Sequence, residues 1–194
     1  MTGRQLSPGR GVSVARDTDE ELVRRCLDGD PEAFGLLVAR YQRPLYNAAY
    51  RVLGNAADAS DVTQATFMEV AERLDGYDPH RRFFSWIYRI ALNAALNLAR
   101  SKRREAPLGE EPPRAVDSND PQALMEVVER TKRVQDALMR LSEDHRAVLT
   151  LRHFSDLSYR DIAMVLEVDE KTVKSRLFEA RQRLRELLAR GEGA

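Results

Sequence analysis

Residues Leu157–Leu188 read LSYRDIAMVLEVDEKTVKSRLFEARQRLRELL and contain the clearest structural signal in the chain. Ser158 is followed three residues later by Asp161, a pairing typical of a helix start because both side chains can bind free backbone N–H groups. Apolar residues then recur at helical spacing as far as Leu166, and a second, longer apolar stripe begins at Val173. We therefore predict two helices separated by a tight turn.

The turn of this motif is Glu167–Asp169. Asp169 is a good N-cap for the second helix, and Glu170 favours the positive end of that helix's dipole. Glu167 stands where a helix-turn-helix often has glycine, so a left-handed backbone at this position would cost about 1 kcal/mol. The sequence thus predicts a helix-turn-helix with one unfavourable turn residue.

The outward side of the second helix is basic and hydroxylated. Lys and Arg reach phosphates and guanine edges, Thr and Ser reach either, and a helix-turn-helix places its second helix in the major groove. A basic amphipathic helix in an ordinary bundle is the alternative interpretation. We expect duplex DNA to be contacted by Lys171, Thr172, Lys174, Ser175, Arg176 and Arg181.

The charge of the chain is balanced but unevenly distributed. The 194 residues contain 31 Lys and Arg against 31 Asp and Glu, so there is no global basic signal. Residues 81–104 nevertheless contain only basic charges, whereas residues 55–79 are acidic apart from Arg73. This separation predicts two kinds of partner, one anionic and one basic.

Several classes of protein are not supported by the composition. A single cysteine, Cys26, excludes an internal disulfide, and no apolar run approaches the length of a membrane span or a signal-peptide core. His80, His145 and His153 lack the spacing of a metal site, and no nucleotide-binding or catalytic motif is present. We expect a soluble intracellular protein that is not an enzyme and needs no cofactor. Helix formers dominate without convincing alternating strands, which predicts an all-α fold.

The N-terminal half is predicted to contain four helices. The first lies near Asp19–Leu27, and the second begins after Asp30, is expected to kink at Pro44, and ends at Gly54. The third spans about 57–74, buries Val62, Phe67, Val70 and Ala71, and has an acidic polar side. The fourth spans about 83–104.

The fourth helix has a second stripe besides its apolar one. Asn is a poor helix former but a good reader of base edges, and aromatic and Arg side chains stack on unpaired bases. The alternative is that the aromatic residues belong to the core and the Asn pair is incidental. We interpret the stripe as a nucleic-acid contact formed by Trp86, Arg89, Asn93, Asn97, Arg100 and Arg104.

Prolines and acidic residues interrupt the helical pattern at residues 105–121, which predicts a flexible linker. Another amphipathic helix follows, and Ser142 then caps a short helix that leads to the helix-turn-helix. We divide the chain into a disordered arm (1–16), a helical domain (17–104), the linker (105–121) and a second helical domain (122–190).

Two helical DNA-binding domains in this order resemble an extracytoplasmic-function sigma factor of bacterial RNA polymerase, over roughly residues 17–190. Three stretches carry the resemblance: Asp58–Phe67 (DASDVTQATF), Phe84–Asn97 (FSWIYRIALNAALN) and Leu141–Leu188. The second of these is similar to the sigma-E type. The resemblance implies an all-α protein in which the first domain is sigma region 2 and the second is sigma region 4.

The resemblance also implies a role for each surface. The acidic third helix would bind the clamp helices of the largest subunit of core polymerase through Asp58, Asp61, Gln64 and Phe67, although the family usually has Glu where Ala65 stands. The loop bearing Tyr77 and the stripe of the fourth helix would recognise and open the −10 promoter element through Tyr77, Trp86, Arg89, Asn93, Asn97 and Arg100. Many relatives carry Asp in place of Asn97.

The second domain would read the −35 element with the basic helix and would contact the flap of the second-largest subunit. An anti-sigma factor is also implied, and if it is membrane-bound it would hold the otherwise cytoplasmic protein at the inner membrane.

Two other functions remain compatible with the residues. A transcription regulator could bind duplex DNA through the helix-turn-helix alone and use residues 17–104 for dimerisation or sensing. An enzyme acting on nucleic acid is disfavoured by the absence of metal and acid–base motifs. Promoter-specific RNA synthesis with purified core polymerase separates the sigma factor from the regulator.

Overall fold

The structure is a computed structural model that describes residues 17–105 and 123–190. These residues form α-helices and one short 3-10 turn without any strand, which confirms the predicted all-α class. The predicted arm (1–16) and nearly all of the predicted linker lie outside the described residues. The helices are α1 (Asp19–Leu27), α2 (Pro31–Leu53), α3 (Ala56–Arg73), α4 (Phe83–Glu105), α5 (Ala123–Met139), α6 (Glu143–His153), α7 (Tyr159–Leu166) and α8 (Glu170–Arg190).

Local capping sets the helix starts in the N-terminal half. Thr18 forms a complete capping box with Glu21, and Asp30 accepts a hydrogen bond from the Glu32 amide at the start of α2. Gly54 ends α2 with a φ of 70°, a left-handed conformation that glycine adopts without strain. The second helix, α2, runs continuously through Pro44.

Helices α1–α4 pack around one apolar core. Leu22, Leu45 and Ile87 are fully buried there, and the Phe83 ring contacts the Tyr41 ring edge-on at 5.6 Å. Helix α1 is held against α2 because Asp19 accepts hydrogen bonds from both Arg40 and the Tyr41 hydroxyl. This core fixes the orientation of the outer faces of α3 and α4.

Helices α5–α8 form a second group, and their buried apolar residues, such as Leu138, Ile162 and Leu177, belong to the same hydrophobic cluster as those of α1–α4. Ser142 caps α6, Ser158 caps α7, and Asp169 accepts a 2.5 Å hydrogen bond from the Thr172 amide to start α8. Glu167 has φ 54° and ψ 43°, so the unfavourable left-handed turn expected for this residue is present. The predicted two helices and tight turn are therefore confirmed.

The two groups of helices contact each other through α2 and α4 on one side and α5, α6 and α7 on the other. At the centre of this contact is Arg146, whose residue surface is only 5% exposed. Its guanidinium donates to carbonyl oxygens on both sides, including Val52 at the end of α2. The sequence pattern did not predict this contact.

One core prediction is wrong. Ala71 was expected to be buried but is exposed, because it lines a groove between α2 and α3 instead of facing the core. Within the described ranges, no helix combines the length and apolar character needed to cross a membrane.

Candidate nucleic-acid interface

Helix α8 presents its basic side to solvent because its apolar stripe is used for packing. Val173, Leu177 and Ala180 are buried between α8 and its neighbours, which turns the opposite side outward. The structure places the six predicted DNA-contacting residues on this outer side or at its edges. Lys171, Lys174 and Ser175 are exposed, and Thr172, Arg176 and Arg181 are half-buried.

Four of these six side chains already have partners within the chain, and one of them is the Thr172 hydroxyl, which is hydrogen-bonded to the Asp169 carboxylate. Arg176 forms a 2.9 Å ion pair with Asp144, and the Ser175 hydroxyl is 3.1 Å from the Glu179 carboxylate. Arg181 donates to His153 Nε2 at 3.3 Å, which requires that nitrogen to be unprotonated. Burial and the neighbouring Arg181 charge both lower the pKa of His153, so the neutral imidazole is favoured.

Sequence reasoning missed Phe178 as a member of this surface. Its residue surface is 63% exposed, and it follows Lys174 by one helical turn on the basic side. An exposed aromatic ring beside basic residues can contact the methyl group of thymine in the major groove. The sequence feature that could have identified Phe178 is its position outside the apolar stripe that includes Val173 and Leu177.

Helix α4 brings most of its predicted stripe onto one side. Asn93, Asn97 and Arg100 are exposed, and Trp86 and Arg89 are half-buried. Positions three or four residues apart lie on the same helix face, so these side chains form a continuous row. Amide, guanidinium and indole groups in such a row can hydrogen-bond and stack on unpaired bases.

Tyr77 does not join this row. Its residue surface is only 7% exposed, its ring packs against Phe83 and Trp86, and its hydroxyl donates to the Arg81 carbonyl. Burial raises the pKa of Tyr77 to about 12. The prediction that Tyr77 contacts DNA is therefore corrected: Tyr77 is a core residue. Trp86 shares this aromatic cluster but remains partly accessible.

A third candidate surface lies on α3 and is acidic at its edge and apolar at its centre. Asp61 and Gln64 are exposed, whereas Asp58 is half-buried and forms a 2.5 Å ion pair with Lys102. The ring of Phe67 packs edge-on against the ring of Phe34, with 6.5 Å between the ring centres.

A groove of about 830 Å³ opens between α2 and α3 beside these residues. Its apolar lining includes Phe34, Val38, Tyr46, Phe67 and Met68, and Met68 is 59% exposed. A surface of this kind suits an apolar and basic protein partner, not DNA. We call it the α2–α3 groove.

Two family models match the chain. Sigma-70 region 2 matches residues 37–105, and Sigma-70 region 4 matches residues 131–184. The RNA polymerase sigma-H factor of Pseudomonas aeruginosa is 34% identical over 181 residues, covering 87% of this chain and 93% of the relative. The ECF RNA polymerase sigma-E factor of Escherichia coli K12 is 33% identical, covering 85% and 91%.

Solved structures are also similar to this chain. CnrH, solved in complex with the cytosolic domain of CnrY, has a TM-score of 0.71 and 31% sequence identity, covering 89% of this chain and 98% of CnrH. The sigma factor RpoE of Bartonella quintana, solved with the anti-sigma factor NepR, has a TM-score of 0.64 at 23% identity and supports the fold alone.

Proposed function

The chain belongs to the sigma-70 family of RNA polymerase sigma factors, in its extracytoplasmic-function group, and from this we propose how its surfaces divide the work of promoter recognition. Sigma factors are transcription initiation factors without catalytic activity of their own. The chemistry of RNA synthesis therefore belongs to the polymerase, and this chain supplies promoter specificity.

The −35 element is read by the outer side of α8. We define the −35 surface as the exposed or edge residues Lys171, Thr172, Lys174, Ser175, Arg176, Phe178 and Arg181. The observation that carries this assignment is a capped, tight turn followed by a helix that buries its apolar stripe and leaves Lys171, Lys174 and Ser175 exposed on its basic side. Lys171 and Lys174 suit phosphates, Arg176 suits a guanine edge, and Phe178 suits a thymine methyl.

The −10 element is read by the row on α4. We define the −10 surface as Trp86, Arg89, Asn93, Asn97 and Arg100. Asn93 and Asn97 are exposed polar residues one helical turn apart, and their amides can hydrogen-bond the edges of bases that leave the duplex. Arg89 and Arg100 flank them and suit phosphates of the opened strand.

Core polymerase binds at the α2–α3 groove and its acidic edge. Exposed apolar groups such as Met68 gain stability when a partner buries them, and Asp61 with Gln64 offers polar contacts at the rim. By family resemblance the partner there is the pair of clamp helices of the largest subunit. The flap of the second-largest subunit takes the outer surface of the C-terminal domain.

An anti-sigma factor controls the chain in this proposal. Support comes from the complex of CnrH with the cytosolic domain of CnrY, because CnrH is 31% identical to this chain over most of its length. Our proposal places the chain in the cytoplasm, where a membrane-bound anti-sigma factor would hold it at the inner membrane.

Promoter-directed transcription tests the function. Purified chain mixed with core polymerase should produce RNA from a defined start site on a matching promoter, and core polymerase alone should not. A regulator that binds duplex DNA without joining polymerase would bind the same DNA but would not confer a start site. The matched regions of the family models span both domains, which favours the sigma factor over the regulator.

A further inference from the structure

We propose that Glu179 of α8 determines sequence specificity at the −35 surface by accepting a hydrogen bond from the amino group of a cytosine in the major groove. The inference rests on the proposed function and deepens it, because it names what one further side chain of that surface recognises. Three observations support it: the position of Glu179 on α8, the charge that its carboxylate retains, and the two polar groups that hold this carboxylate.

Glu179 lies on the exposed side of α8, among the residues that are proposed to contact DNA. It follows Lys171 by eight residues and Ser175 by four, and side chains at this spacing lie on one helix face. All three residues are exposed, and the Glu179 side chain is 58% exposed. The buried stripe of α8, which includes Val173 and Leu177, lies on the other side of the helix. A duplex bound along Lys171 and Ser175 would therefore also meet the Glu179 carboxylate.

The Glu179 carboxylate keeps its negative charge at a surface that binds a polyanion. In the part of the chain that the structure describes, no Lys or Arg forms an ion pair with it, because Arg176 pairs with Asp144 and Arg183 pairs with Glu186. Duplex DNA carries one negative charge per about 1.7 Å of its axis, so an unpaired carboxylate is repelled by the phosphates. Such a group favours DNA binding only where it meets a hydrogen-bond donor on a base.

The major groove offers a carboxylate two kinds of donor, the cytosine N4 amino group and the adenine N6 amino group. The adenine amino group lies between two acceptors, its own N7 and the O4 of the paired thymine, and both repel a carboxylate. The cytosine amino group has an acceptor on one side only, the O6 of the paired guanine. Glu and Asp accordingly accept hydrogen bonds from cytosine N4 in DNA complexes. An ionised Glu179 therefore selects cytosine over adenine.

Two neighbouring groups hold the Glu179 carboxylate in place. The Ser175 hydroxyl donates to its Oε1 at 3.1 Å, and Nε2 of His145, in the first turn of α6, lies 3.4 Å from its Oε2. An ionised carboxylate has about four acceptor sites, so these two contacts leave capacity for the amino group of a base. Because contacts from both α8 and α6 restrict a long side chain before DNA arrives, less conformational freedom is lost on binding.

The position of Glu179 along α8 also predicts where the cytosine lies. Glu179 is three residues beyond Arg176, which is about 4.5 Å along the helix axis. Successive base pairs of the duplex are about 3.4 Å apart. The selected cytosine should therefore lie one or two base pairs from the pair that Arg176 reads.

The test replaces Glu179 by Gln in the full chain. This change keeps the size of the side chain, removes its charge, and creates an amide that can bind adenine N6 and N7 together. The matched control is Glu186→Gln, which removes the same charge from an exposed carboxylate of α8 that pairs with Arg183 instead of His145. Both variants should bind all duplexes somewhat more tightly, because each removes a negative charge, so only their sequence preferences should differ.

The readout is the sequence of duplexes that the affinity-tagged full chain, mixed with core polymerase, captures from a library randomised over the −35 region. The wild type should select cytosine at a position one or two base pairs from the one at which Arg176→Ala relaxes selection. Glu179→Gln should select adenine there, and Glu186→Gln should keep the wild-type preference. On single duplexes, the wild type should bind the cytosine form about fivefold to tenfold more tightly than the adenine form, and Glu179→Gln should reverse this order.

A second variant, Glu179→Ala, separates base recognition from a structural role. It should lose the cytosine preference without gaining one for adenine, and circular dichroism checks that the helices of every variant are retained. Wild-type selection of any base other than cytosine near the Arg176 position would overturn the proposal. Unchanged selection by Glu179→Gln and Glu179→Ala would also overturn it, because Glu179 would then only connect α8 to α6 through His145.

Promoter-directed transcription by the wild type separates this inference from the proposed function. RNA from a defined start site, together with unchanged selection by the Glu179 variants, would overturn the inference but leave the sigma function intact. Absence of promoter-directed transcription would instead refute the proposed function, whatever duplexes the tagged chain selects.

Discussion

At Glu167 the backbone is left-handed, yet the side chain is not glycine. The Cβ atom makes this conformation unfavourable by about 1 kcal/mol. The Glu167 carboxylate pairs with Arg89 across the domain contact, which gives a reason for a larger residue at this position.

Replacing Glu167 by Ala and by Gly separates strain from the ion pair. Both variants lose the exposed pair, worth about 0.2–1 kcal/mol, but only Gly also relieves the left-handed strain. We expect the Gly variant to be more stable than the Ala variant by about 1 kcal/mol in urea unfolding. Equal stabilities would show that the turn is not strained.

On α8, two residues of the −35 surface should contribute to DNA binding in different ways, one by contacting a phosphate and the other by contacting a base. Lys174 is exposed and suits a phosphate, so Lys174→Ala should weaken binding to all duplexes alike and reduce the salt slope by about 1. Arg176→Ala should instead relax specificity at one base pair and cost about 1–3 kcal/mol on the preferred duplex.

A duplex selected by the wild type from a random library supplies the DNA for this comparison, and Arg190→Ala at the far end of α8 supplies the charge control. Identical effects of the Lys174 and Arg176 variants on matched and mismatched duplexes would contradict their separate roles.

At the scale of single elements, sequence patterns predicted the helices well where the signals are local. Helix α1 has the predicted ends, and α3 differs from its expected range by one residue at each end. Caps determine such boundaries through hydrogen bonds to nearby amides: Asp30, Ser142 and Ser158 set the starts of α2, α6 and α7. Periodicity alone did not distinguish a core from a groove, so Ala71 was assigned to the wrong environment.

A charge reversal on helix α3 tests the proposed contact with core polymerase. Asp61 is exposed at the edge of the α2–α3 groove, whereas Asp58 is already paired with Lys102, so Asp61→Lys is the cleaner charge reversal. It should weaken assembly with core polymerase because a like charge at a charged interface costs several kcal/mol. Glu72→Lys, an exposed reversal elsewhere on α3, serves as the control. Normal competition for core polymerase by the Asp61 variant would mean that this acidic edge is only solvated surface.

At the scale of the whole molecule, the contact between domains was beyond sequence reasoning. Arg146 reads as an ordinary charged residue of a short helix, and its compensating partner Val52 lies 94 positions earlier in the chain. Likewise, burial of Tyr77 depends on how the loop before α4 folds onto Phe83 and Trp86. The partners of Arg146 and Tyr77 are set by tertiary packing, which a sequence pattern does not show. The separation of charge between residues 55–79 and 81–104, in contrast, can be read directly from the sequence.

Permanganate footprinting of promoter complexes tests the central claim most directly, because it detects the unpaired thymines that a working sigma factor creates. Polymerase carrying the wild-type chain should make thymines of the −10 element reactive. Polymerase carrying Asn93→Ala with Asn97→Ala should bind the promoter but lose this reactivity, since the exposed amides that hold extruded bases are gone. Wild-type reactivity at every −10 thymine in the double variant would contradict the assignment of the −10 surface to α4.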